Sequence, residues 1–463
     1  MKRRTFGLLA GTSLAALKTG RARAQAATPD ASQLQTTLTP FGGERAGNAD
    51  GSIPAWTGGC NTLPAGLAPN TYIPDLFANE QPVVVVDASN MAQYAQFLTD
   101  GVQAMMTKYG FKIKVYPTHR TVCAPQWVYD NTAKNVATAQ LDPAGGRWGF
   151  VNAYGGIPFP IPDLSDPLVA GAQIVWNFEM RWMGVGSAIE DEGYAVSDGL
   201  PTLSSSSLVT YQYPYYDPNG SYATWDGYSV KLLSVNDGPP NLVGQQICDW
   251  QSARALVSKN IAWEVFAGQG RVRKAPEIEF DTPASNTNGI SSYDEDYVFN
   301  GSLEEYNWKY IEKKEMFVPY NNNYMFGLAP VPLHLQHFLD PEVVRWEKHR
   351  VWVVEATLYP GRRNIDARRR LYIDEDGWQA MLADVWDANN NLWKVNLGYN
   401  YNRPDVPGVF QCQNTLHDLQ TGNWTSDSGP WNQKVKFNYW IYADKVTPDY
   451  EVGPQAMAAN SQY

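Results

Sequence analysis

The stretch from His349 to Arg403 constrains the fold more than any other, because it reads as four consecutive β-strands. The runs are 350–359, 367–373, 378–386 and 392–402. β-Branched and aromatic residues fill them, and Pro360-Gly361, Asp374-Glu-Asp-Gly377 and Asp387-Ala-Asn-Asn-Asn391 fill the breaks. Alternation sends Trp352, Val354, Ala356 and Leu358 to one face of the first strand and Val351, Val353, Glu355 and Thr357 to the other. Both faces begin apolar, so the sheet needs cover on both sides. A twisted antiparallel sheet of this kind curls and can enclose a helix or an apolar ligand.

Further strand-like runs follow the same reading at 111–116, 172–183, 208–216, 222–234, 245–250, 258–266, 271–274 and 431–442. Residues 308–320 fit strand or helix. Two helices are expected. The first covers 87–110, with Met91, Tyr94, Ala95, Leu98, Val102, Met105, Met106 and Tyr109 as its apolar stripe; Asp87 or Ser89 caps it and Gly110 ends it. The second covers 333–348. With 13% aromatic residues, 38 Gly and 31 Pro, the chain of 463 residues is a β-rich globular protein. It carries no repeat and no linker, which makes 27–463 one domain.

Residues 1–26 hold six basic and no acidic side chains around a short apolar run, and Ala24-Gln-Ala26 is a small-residue cleavage site. This is an export signal, and Arg3-Arg4-Thr5-Phe6 is similar to the twin-arginine motif. The expected compartment is the periplasm. Without the signal, 30 Lys and Arg face 47 Asp and Glu, a net charge near −17 that repels nucleic acid. No apolar run is long enough for a transmembrane helix in the mature chain. Cys60, Cys123, Cys248 and Cys412 leave their pairing open between two disulfides and free buried thiols.

The sequence assigns no catalytic residue and no cofactor. No Gly-x-Ser-x-Gly elbow or nucleotide fingerprint occurs. His334 and His337, with His349 after them, lack the spacing of a zinc protease helix, so no metal is assigned. The Asp387–Asn391 run lacks the Gly and final Glu of a calcium loop and reads as a hairpin turn. The acidic triplets Glu190-Asp-Glu192 and Asp294-Glu-Asp296 read as solvated loops. Arg368 and Arg370 share a strand face, with Arg369 on the other; they form ion pairs or contact an anionic head group.

Several motifs carry a family resemblance. They are Leu38-Thr-Pro-Phe-Gly-Gly-Glu-Arg-Ala-Gly-Asn-Ala-Asp-Gly-Ser-Ile-Pro-Ala-Trp-Thr-Gly-Gly59, Tyr116-Pro-Thr-His-Arg-Thr-Val122, Val128-Tyr-Asp-Asn-Thr132, Gly156-Ile-Pro-Phe-Pro-Ile-Pro162, Trp176-Asn177 and His349-Arg-Val-Trp-Val-Val-Glu-Ala-Thr357. Together they resemble the bacterial family called domain of unknown function 1329. That family resembles the periplasmic lipoprotein carriers LolA and LolB, which implies an incomplete antiparallel barrel wrapped around helices, with an apolar concavity. The implied role is binding or carriage of a lipid or other hydrophobic molecule, in association with an outer-membrane protein or export pump. On that footing Trp352, Val354 and Leu358, with Met105 and Met106, are expected as cavity wall, and Arg368 and Arg370 as head-group contacts. An envelope hydrolase with two facing carboxyls and a non-catalytic docking scaffold are the alternative readings.

Overall fold

The computed structural model describes residues 29–254, 259–275, 281–444 and 452–461. The expected export signal and cleavage site at 1–26 lie outside the described residues.

In chain order, β1 (Val84–Val86), α1 (Asp100–Tyr109) and β2 (Ile113–Val115) come first. They are followed by α2 (Gln126–Thr138), the short pair β3 (Gln140–Leu141) and β4 (Phe150–Val151), and α3 (Pro167–Glu179). The strands β5 (Gly186–Ser197), β6 (Leu200–Gln212), β7 (Tyr228–Gly238), β8 (Gln246–Ser252), β9 (Ile261–Val265) and β10 (Arg273–Lys274) form one meander. Next come β11 (Tyr306–Pro319) and the short helix α4 (Asn323–Phe326). A second meander holds β12 (Trp346–Leu358), β13 (Arg368–Asp374), β14 (Ala380–Trp386), β15 (Leu392–Arg403), β16 (Gly408–Asp418) and β17 (Trp424–Gly429). The chain then adds β18 (Tyr439–Tyr442) and ends on α5 (Pro454–Asn460).

Sixteen of these strands make one sheet, in the order β1-β2-β12-β13-β14-β15-β16-β17-β5-β6-β7-β8-β9-β10, with β11 on β12 and β18 on β5. The pairings are antiparallel except where β2 meets β12 at Val115 and Trp346. The two ends do not pair, so the sheet is a large, mainly antiparallel, unclosed one. The four strands expected between His349 and Arg403 are β12 to β15, and 308–320 resolves as the strand β11.

Helix α3 lies against β11 and β12 and is almost wholly buried. The run expected as a strand, 172–183, begins in this helix; Ile174, Trp176 and Phe178 alternate, yet apolar residues fall on most sides of it, as in a largely buried helix. Pro167 at its first turn and the Asp166 carboxylate, which accepts from the Leu168 N–H at 2.9 Å, favour the helix. Gly171 lets it approach closely, since a Cβ there would stand 2.5 Å from the Trp308 carbonyl oxygen. Asn177 brackets Phe159, accepting from its N–H at 2.8 Å and donating to its carbonyl at 2.7 Å. The Pro-rich segment 156–162 is thereby tied to the helix.

Helix α1 lies on the opposite face. The Asp384 carboxylate, in register with Arg370 and Glu355, accepts from Thr99 Oγ1 at 2.9 Å and from the Gly101 N–H at 3.1 Å. The helix expected over 87–110 is shorter, because Leu98 is extended and Thr99 caps a fresh start at Asp100; two 3-10 turns precede it. Gly110 does end it, at φ 69°. No helix spans 333–348: a 3-10 turn at Val331–Leu333 leads through loop into β12. His334 there is buried against Pro330 O and Ser426 Oγ, and His337 contacts Gly422 O. All four cysteines are free thiols, and Cys123, Cys248 and Cys412 are buried.

One ion network ties the layers together. Arg369, 1% exposed, donates to Asp294, reaches Asp366 at 2.8 Å, and hydrogen-bonds the Tyr306 hydroxyl at 3.1 Å. Lys394 meets Glu295 at 2.8 Å and Asp366 at 3.1 Å. The triplet 294–296 is thus no solvated loop, since Asp294 and Glu295 are each 1% exposed. Asp191 in the other triplet is also buried. Glu190 and Glu192 flank it half-buried, so the enclosure of these acidic residues is not revealed by composition.

Replacing Gly171 by Val is expected to cost roughly 1–3 kcal/mol or more through overpacking. Arg369→Met is expected to cost roughly 3–5 kcal/mol, because buried Asp294 loses its cation and Asp366 keeps only Lys394. Urea denaturation of the purified variants checks both.

Candidate functional site

Where α3 ends, the chain turns past Met180 and Arg181 beneath β6, β7 and β8. A cleft of about 70 Å³ opens there, roofed by residues 296–300. Its lining mixes apolar groups (Met180, Met183, Val230, Leu232, Phe299) with the phenols of Tyr211, Tyr213 and Tyr297 and three charged residues.

Those three are Glu179, Arg181 and Asp296. Burial pushes the Glu179 carboxyl up to about 8, so it holds its proton at neutral pH. Its Oε1 is shielded from solvent and has no hydrogen-bond partner. Arg181 donates from Nη1 to the Phe178 carbonyl at 2.8 Å, and its guanidinium lies 4.5 Å from the Phe178 ring. Its Nε is buried without a partner, and burial lowers its affinity for the proton. Burial also pushes Asp296 up to about 6. Two buried polar atoms without partners, on residues that line the cleft, are costly in a folded chain, by about 1–3 kcal/mol each. A ligand that pairs with them recovers that cost.

The roof is strained. Tyr297 has φ 49° and Val298 φ 77°, and a β-branched residue at positive φ is rare. Such a conformation costs about 1–3 kcal/mol per residue and persists only where neighbours impose it. Here Asp294 is held by Arg369 and Glu295 by Lys394. Asn414 accepts from the Tyr297 N–H at 3.0 Å, and Gln411 donates to the Tyr297 carbonyl at 3.1 Å. The result is a Tyr297 hydroxyl 3.1 Å from that of Tyr211, across the cleft wall.

Below the roof sit two more enclosed carboxyls. Burial raises Asp191 to about 7, helped by the nearby charge of Asp296, and raises Asp427 well above the usual range. Asp191 accepts from Ser207 Oγ at 2.8 Å, and Asp427 from Asn286. A second, outer hollow of about 380 Å³ lies over Trp393 and Lys394, with Pro283, Ile290 and Ile365 beside polar residues such as Asn288, Ser291 and Asn423 in its lining.

The residues expected as cavity wall line neither hollow. Trp352 stacks on Trp378 with centroids 5.8 Å apart, and Val354 is wholly buried in the core beside it. Leu358 is half-buried near the end of the same strand. Met105 and Met106 belong to α1 and are wholly buried. They pack on the Glu355–Arg370–Asp384 face, so the sheet separates them from Trp352 and Val354. Arg368 and Arg370 do share a face, and both pair with Glu355, at 3.1 Å and 2.8 Å. The Arg368 guanidinium also covers Trp386 at 3.6 Å. The sequence pattern hides the cleft residues, because the alternation over 172–183 reads as a strand and conceals the exit of α3.

Similar proteins bear on the chain as a whole. An uncharacterized protein of Pseudomonas aeruginosa is 32% identical over 437 residues, which cover 90% of this chain and 92% of that one. A crystal structure of a DUF1329 family protein from Desulfovibrio piger superposes with a TM-score of 0.43 at 15% identity, over 63% of this chain and 99% of that one. A domain named for outer membrane lipoprotein sorting, from Vibrio parahaemolyticus, gives 0.43 at 11% identity, over 63% and 99%. A LolA superfamily protein from Nitrosomonas europaea gives 0.32 at 10% identity, over 60% and 94%. The family described as protein of unknown function, DUF1329, matches residues 85–457, and the chain belongs to it.

Proposed function

We propose that this chain binds and carries an amphipathic or hydrophobic molecule, such as a lipid, without covalent chemistry. The observation that carries this reading is the cleft at the end of α3, where unpartnered Glu179 Oε1 and Arg181 Nε stand beside Met180, Met183, Val230, Leu232 and Phe299. Apolar walls with a few convergent polar groups are the usual build of a small-molecule site. The polar group of the ligand would pair with Arg181, the Glu179 carboxyl and the phenols. Its apolar part would follow Val230 and Leu232, which are half-buried and gain roughly 25 cal/mol per Å² when covered. A volume of about 70 Å³ admits a head group and not a long chain, so loading requires β6–β8 to move away from residues 296–300.

The basic and apolar start of the sequence supports a periplasmic site of action. The resemblance that links the family with outer-membrane proteins and export pumps supports a role in transport across the envelope.

A second reading is favoured by one feature. Glu179 and Asp296 both line the cleft, with affinities for the proton set apart at about 8 and about 6. A protonated carboxyl and an ionised one are the pair that an envelope hydrolase needs.

Mass spectrometry on an organic extract of the mature protein, purified from its native envelope, tests the first reading. One amphipathic molecule in stoichiometric amount is expected, and Arg181→Ala is expected to lose most of it. A clean extract under gentle purification would overturn carriage. Retention of the molecule by Glu179→Gln, with turnover abolished, would establish the hydrolase instead.

Glu179 also makes a pH prediction. A carboxyl whose folded affinity for the proton is raised opposes folding as pH rises from its unfolded value toward about 8. Glu179→Gln is therefore expected to raise the urea midpoint at pH 8.5 and to leave it unchanged at pH 4. Denaturation at the two pH values measures this.

A further inference from the structure

We propose that His349, Asp374 and Asp376 hold a divalent metal ion. The three lie on the far side of the sheet's strong meander, where β12 passes the turn after β13. One donor atom from each falls within 4.8 Å of the others, and the residues are 1%, 0% and 2% exposed.

The hydrogen bonds around His349 leave a gap that a cation can fill. Glu347 is an acceptor on both oxygens, taking Arg345 Nε and Asn321 Nδ2 on one and the His119 N–H at 2.8 Å on the other. His349 Nε2 lies 3.1 Å from that second oxygen, so it is the protonated nitrogen and donates to Glu347. Nδ1 then carries a lone pair. It points toward Asp374 Oδ1 at 3.8 Å, too far for a hydrogen bond. Asp374 Oδ1 is buried and has no partner, while Oδ2 accepts from the Gly377 N–H at 2.8 Å and the Tyr320 hydroxyl at 3.1 Å. With His349 neutral and Asp374 ionised, as a bound metal requires, two lone pairs face each other across a distance that two ligands of one ion span. The Tyr320 ring, stacked on His349 at 3.8 Å, fixes the imidazole plane. A ligating imidazole commonly hands its other N–H to a carboxylate, as His349 does to Glu347.

The charges of the cluster agree. Its carboxylates are Glu44, Glu80, Glu347, Asp374, Glu375 and Asp376; its permanent cations are Arg120, Lys313, Arg345 and Arg350. The carboxylates outnumber the permanent cations six to four, so the cluster is acidic and suits a bound cation. Asp376 is the weakest of the three donors, because Arg120 already engages both of its oxygens. A nitrogen and carboxylate oxygens suit zinc or manganese, and full enclosure makes the ion a structural one that enters on folding.

The test is metal analysis of the mature protein, purified without chelator, and of protein refolded from denaturant with zinc, with manganese or with neither. About one equivalent of metal per chain is expected, with a higher Tm for the metal-refolded protein than for the metal-free one. Asp374→Asn is expected to abolish the bound equivalent. Glu347→Gln is expected to weaken it by roughly 10–100-fold, as loss of an orienting partner does. Should the variants fail to fold, the wild-type comparison decides. Metal-free protein in every preparation, a Tm indifferent to added metal, or equal metal content in Asp374→Asn would each overturn the proposal.

Discussion

The buried guanidinium of Arg369 is the contact on which the rest of the structure depends. It sits on β13 between Ala356 and Val385, small enough to let it rise from the sheet. From there it reaches Asp294 and Asp366, and Lys394 on the next strand but one completes the set with Glu295. Such a network is a poor source of net stability, since desolvation offsets much of the attraction. Its value is registry. Arg368, Arg369 and Arg370 follow one another, so a slip of one residue would place a solvent-side arginine in the core and send Arg369 to the α1 face. The network admits one register, and with it one position for residues 294–298.

That placement carries through to the cleft. Asp294 and Glu295 are anchored, so the strained backbone at Tyr297 and Val298 is imposed from outside. Tyr297 then closes the space where α3 leaves the sheet. The same helix is held from beneath by Asn177 and by the close approach of Gly171 to β11. The cleft is therefore defined by rigid parts on the helix and roof sides, whereas β6 to β8 close it with half-buried residues. In a family of unknown function, a site of this build supports binding more directly than catalysis.

The strand runs of the second meander were legible because β-branched and aromatic residues alternate between turns rich in Asp, Asn and Gly. The alternate facing of Arg368, Arg369 and Arg370 was legible for the same reason, and so was the turn at Asp387–Asn391. The reading failed where periodicity carries no information. Helix α3 carries apolar residues on most of its sides, so Ile174, Trp176 and Phe178 look like one face of a strand. The acidic triplets are polar in any context, and what encloses them is distant in sequence: Arg369 and Lys394 for Asp294 and Glu295, the Ser207 hydroxyl for Asp191. The expected wall of Trp352, Val354, Leu358, Met105 and Met106 joined residues that the sheet itself keeps apart.

By itself the sequence determined the family, the β-rich class, the four central strands and which of their residues share a face. These are local properties, set by side-chain type and by alternation along a strand. The tertiary structure alone decided on which face each helix lies, which carboxyls meet a cation, and where the cleft opens. Those outcomes depend on pairs far apart in the chain, such as Arg369 with Asp294, 75 residues away, and Thr99 with Asp384, 285 residues away. A contact of that range is fixed by the closure of the whole fold, and no local pattern encodes it.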